Sequence, residues 1–124
     1  PCNICFNSKL GNPNIDEKPG SFHWSPIFTN SKSVVTIANF SPLKEYVQSA
    51  NLIFNFYHKQ DSSFITREKN LQPKEEYRIT IDDELKSFLH DDVGWVTIKS
   101  DNPNMEGYYF NFHSSGSVGG DHFF

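Results

Sequence analysis

Short apolar runs, each followed by turn residues, constrain this fold more than any other feature of the chain. From Ser21 onward the sequence reads SFHWSPIF, SVVTIAN, ANLIFNFYHK, FITREK, YRITID, GWVTIKS and GYYFNFH, with Asn, Asp, Ser, Pro and Gly clustered between the runs. Strands recurring at about ten-residue intervals with turn signals between them fit an antiparallel sandwich or jelly roll. Successive strand side chains point to opposite faces, so Leu52, Phe54 and Phe56 share one face while Ile53, Asn55 and Tyr57 share the other. Tyr77, Ile79 and Ile81 group in the same way. One stretch departs from this period. DDELKSFLHDDVG carries acids at its start and Leu85, Phe88 and Leu89 at helical spacing, which predicts a short helical crossover from one sheet to the other. The expectation is an all-β, antiparallel sandwich or jelly-roll-like domain of seven or eight strands over residues 21–124. Residues 1–20, rich in Asn, Pro, Gly and Lys, read as an irregular N-terminal arm. The closing GGDHFF is expected to pair as a terminal strand with SFHWSPIF, its glycines permitting a tight turn or bulge.

Composition supports this reading and removes several functions. A chain of 124 residues fits one domain with a real core. Twelve Phe, five Tyr and two Trp lean it toward β structure, because such side chains suit a pleated, half-buried surface. The net charge of −4 comes without a basic run, so no nucleic-acid footprint is visible. No apolar run approaches the roughly 18 residues of a membrane span, and no signal-peptide pattern is present. Pro1 stands where an initiator Met would, as expected of a processed chain or a piece of a longer one.

The order VVTIAN, then a strand ending in NFYHKQ, then LQPKEEYRITIDDEL, then GWVTIKSDNPNMEGYYF resembles the bacterial sensory-rhodopsin-transducer type of β-sandwich. The resemblance covers about two thirds of the chain and rests on hydrophobic patterns and turn residues. It implies a small cyclic homo-oligomer, a tetramer, that binds a partner protein or a ligand. The chain itself reads as soluble; its compartment is left open, with the bacterial cytoplasm favoured.

Several groups of residues could carry chemistry. Cys2 and Cys5 stand at C-x-x-C spacing, open to readings as free thiols, a local disulfide, half of a zinc site or a redox pair. His23 lies near the start of the sandwich, and His113 and His122 flank the glycine-rich SSGSVGG at its end. Together with Asp121 they form a candidate site for a divalent transition metal, in a cupin-like domain or a metal-dependent enzyme. His90 and Asp92 give an H-x-D by letters, but in the loop expected after the helical turn. Asp82, Asp83 and Glu84 read as the N-terminal residues of the helix, favoured there by its dipole.

The aromatics suggest recognition. NFYH, GYYFNFH and FHW interleave rings with hydrogen-bonding Asn and His. Alternation assigns Phe54, Phe56, Phe110 and Phe112 to the core, leaving Tyr57, Tyr109, Asn55, Asn111 and His113 facing outward. Tyr57, Tyr109, Asn55, Asn111 and Trp24 are the candidate ligand-binding residues, as a glycan-contacting surface or a subunit interface. The leading expectation is a non-enzymatic binding or assembly module without a cofactor, self-associating or binding a protein or glycan through these strands.

Overall fold

The computed structural model describes residues 20–29, 32–59, 63–90 and 93–123. Two four-stranded antiparallel sheets pack face to face. The first runs β1 (Ser21–Phe28), β6 (Val93–Ser100), β3 (Ala50–His58) and β4 (Phe64–Leu71). The second runs β5 (Glu76–Ile79), β2 (Lys32–Asn39), β7 (Met105–Phe112) and β8 (Val118–His122). A short helix, α1 (Asp83–Leu89), carries the chain from β5 in the second sheet to β6 in the first. This is the expected sandwich, with eight strands and a short helical crossover. The proposed arm lies outside the described residues except for Gly20, which precedes β1 directly.

The core forms where the inner faces meet. Ile27, Leu52, Phe54, Phe56, Val96 and Ile98 come from the first sheet, and Val35, Ile37, Ile79 and Met105 from the second. Truncating either buried Phe to Ala should cost about 3–5 kcal/mol. Leu85 and Leu89 close one end from α1, and Leu89 occupies the space that a side chain at Gly94 of β6 would need. The helix starts where the acids predict. The Asp82 carboxylate accepts the Leu85 backbone N–H at 3.0 Å, and Asp83 and Glu84 fill the first turn. Arg67 on β4 pairs with Asp82 at 2.8 Å. The Arg67 hydrogen bond, and then the Leu85 N–H, hold the Asp82 carboxyl below its usual pKa.

A buried polar network ties the long β2–β3 connection to the opposite end of the sandwich. Tyr46 donates its hydroxyl to Asn39 Oδ1 at 2.6 Å and accepts from Asn102 Nδ2 at 2.7 Å. Asn39 donates to the carbonyls of Gln48 and Leu71, and Asn102 to that of Ser49. Ser21 donates to the Asn102 carbonyl at 2.9 Å. These side chains are buried and satisfied, so both sheets and the connection share one register.

Two expectations about strand placement are corrected. GGDHFF does not pair with SFHWSPIF: β8 folds back on β7, while β1 pairs with β6 in the other sheet. The cause is the turn over 113–117, where Gly116 adopts φ 90° and His113 exchanges backbone bonds with Ser117 and Gly116. The facing of β7 is also shifted by one residue. Phe110 and Phe112 point outward, whereas Asn111 is buried and Tyr109 packs against the core. Met105 in the core and Gly107 beneath the buried Phe123 ring fix this phase, since any Cβ at position 107 would meet that ring.

Candidate functional site: the aromatic face of the first sheet

Alternation that buries Leu52, Phe54 and Phe56 on β3, and Gly94, Val96 and Ile98 on β6, turns their neighbours outward. Cross-strand register then sorts the outer face into rows. Pro26, Trp95, Tyr57 and Phe64 form one row from β1 to β4. Trp24, Thr97, Asn55 and Thr66 form the next, followed by Phe22, Lys99, Ile53 and Glu68. Trp24 is 43% exposed, Trp95 38% and Phe64 52%, so large apolar surface stays in water across several strands. Single exposed hydrophobics are ordinary; a contiguous set is not.

Ring geometry decides what the face can present. Tyr57 lies nearly parallel to Trp95, 13° between planes and 5.7 Å between centroids, and meets Phe64 at 5.4 Å on its other side. The row is therefore a stack, and Tyr57 offers its edge rather than an open face. In the adjoining row the Thr66 hydroxyl donates to Asn55 Oδ1 at 2.8 Å. One row is largely aromatic; the next sets Trp24 beside the hydrogen-bonded Asn55 and Thr66.

The five candidate ligand-binding residues separate accordingly. Trp24, Asn55 and Tyr57 come together on this face, while Tyr109 and Asn111 point into the sandwich from the second sheet. Phe22, Phe64 and Trp95 were not singled out from the sequence. Trp95 was within reach of the same period, because Val96 and Ile98 turned inward require Trp95 outward.

The candidate metal residues do not assemble. His23 points inward on β1, its ring 6.3 Å from that of Phe123. His113 Nε2 accepts from the Asn111 side-chain amide at 3.1 Å, while His122 Nδ1 contacts the Phe123 carbonyl and its Nε2 stands 3.7 Å from Asp121. Among the described residues no group of three or more His, Cys, Asp or Glu stands close enough to hold a metal ion. The topological reason is that β1 and β8 lie in different sheets. Cys2 and Cys5 lie outside the described residues. A cleft of about 280 Å³ beside Phe40, Pro42, Pro103 and Met105 gathers no ionisable side chain except Glu106.

The chain superimposes on the crystal structure of Thermotoga maritima 1070. The TM-score is 0.64 at 10% identity, over 83% of this chain and 91% of the other. The likeness is one of fold. No family of known proteins matches the chain, and no curated protein does. Among the described residues no helix is long and apolar enough to cross a membrane.

Proposed function

We propose that this chain is a non-enzymatic binding module that takes a protein partner on the outer face of the first sheet. The observation that carries the reading is the aromatic face built by Trp95, Tyr57 and Phe64 and extended along β1 by Trp24 and Phe22. Aromatic residues are enriched at the centres of protein interfaces, where pre-ordered rings lose little entropy on docking. The stack of three rings supplies that order. A sugar is served less well by the same row, since pyranose recognition needs open ring faces and Tyr57 lies between two neighbours.

The face reports on itself, because the two tryptophans of the chain, Trp24 and Trp95, both lie on it. Engagement of a partner should move tryptophan emission to shorter wavelength, and Trp95→Lys should abolish binding while leaving the circular dichroism spectrum unchanged. Binding that survives Trp95→Lys with unshifted emission would place the function on another surface. Binding to members of a glycan panel that depends on Trp24 would replace the protein partner with a sugar.

A further inference from the structure

The cleft beside the β2–β3 connection is built from segments that are tied to one another. Phe40 and Pro42 come from the start of that connection, Pro103 and Asn104 from the turn between β6 and β7, and Met105 and Glu106 from the start of β7. The Phe40 N–H donates to the Asn104 carbonyl at 3.1 Å, and the Asn104 N–H donates to Asn102 Oδ1 at 2.9 Å. Asn102 belongs to the buried network with Tyr46 and Asn39, so connection and turn hang on one polar knot. Small-molecule sites are usually pre-formed in this way. Pro42 and Pro103 also have no rotamers to lose on contact.

The chemistry of the cleft is one-sided. Phe40 keeps 46% of its surface in water, and Glu106 is the one charged residue of the lining. Among the described residues no Lys or Arg stands within 4 Å of the Glu106 carboxylate. Register brings a second acid to the same side. Ala38 of β2 lies opposite Glu106 on one flank and Glu76 on the other. Both acids therefore share one outer row across a small residue, two strand spacings or about 10 Å apart. An anion would meet repulsion here. A cation with an apolar body meets a carboxylate, an accessible ring and two prolines. The volume of about 280 Å³ sits at the small end of ligand pockets, which favours a small solute over a polymer.

From these observations we infer that the cleft binds a free, small organic ammonium ion, protonated or quaternary. Glu106 holds the charge, and Phe40, Pro42 and Pro103 take the methyl or methylene groups. The inference is independent of the aromatic face, because every lining residue belongs to the second sheet or to a connection that flanks it, whereas that face lies on the first.

Choline and its neutral isostere dimethylbutanol, in which a quaternary carbon replaces the nitrogen, make the test. Amide NMR titration should move the Phe40, Asn104 and Glu106 signals with a dissociation constant on the order of millimolar for choline. The neutral isostere should bind about two- to thirtyfold more weakly. Glu106→Gln, at an exposed position, should remove that preference, and Phe40→Leu should reduce it while keeping an apolar wall. Cleft amides that stay still up to about 100 mM choline would overturn the inference, as would equal affinity for the two compounds. A choline response that survives both substitutions would overturn it as well. Movement confined to the Trp24 and Trp95 indoles would also overturn it, assigning the cation to the first sheet. Phosphatidylcholine vesicles should leave the cleft amides unmoved; broadening by vesicles would replace the free solute with a lipid headgroup and overturn the inference as stated.

Discussion

Asp82 carries a helix cap and an ion pair on one carboxylate. Its pKa is lowered, so its contribution is complete above the unfolded value near 3.9 and fades as pH falls through the folded value. Asp82→Ala should cost about 1 kcal/mol at neutral pH, chiefly as a lost cap, with the exposed Arg67 pair adding little. Urea denaturation of both proteins should show that gap narrowing below about pH 4. Gly107 acts through absence. A methyl group there would sit 2.1 Å from the Phe123 ring, so Gly107→Ala must displace the ring or bend β7. We expect a loss of about 3 kcal/mol in denaturant titrations, near the cost of emptying the Phe123 site itself. Phe123→Ala should make Gly107→Ala nearly silent, because the clash then has no second partner.

At the scale of elements, the ladder from β6 through β3 to β4 works by pairing rings across strands. A double-mutant cycle on Tyr57 and Trp95 should return a coupling of about 0.5–1.5 kcal/mol beyond area burial. The polar knot between β2, the following connection and the turn before β7 should be more brittle. Tyr46→Phe removes one hydroxyl that serves both Asn39 and Asn102, and equilibrium unfolding should record a loss of about 1–3 kcal/mol. The strands, the helix and the facing of β3 were legible in the sequence because each follows from local period and capping chemistry. The phase of β7 was not. GYYFNF offers apolar residues at both parities, and what selects one is Phe123, a residue brought over Gly107 only by the hairpin. The pairing of β8 escaped for a similar reason, since two edges compete for a terminal strand and a five-residue turn decides between them. The aromatic face was half legible. Asn55 and Tyr57 followed from the β3 period, but their meeting with Trp24 needed the β1–β6–β3 strand order.

For the molecule as a whole, the order of strands governs how the chain must be made. The early strands do not pair with each other: β1 pairs with β6, and β2 pairs with β5 and β7. Ser21 and Asn102, joined by a hydrogen bond, stand 81 positions apart. Folds dominated by such distant pairings reach the native state in milliseconds to seconds rather than microseconds. On a ribosome adding about 5–20 residues per second, β1 waits about 4–16 s before its hydrogen-bonding partner exists. Through that interval Phe22, Trp24 and Ile27 have no strand to pair with, so a nascent chain halted before β6 should be open to protease and bound by chaperones. Only when GWVTIKS has emerged can β1 find its place.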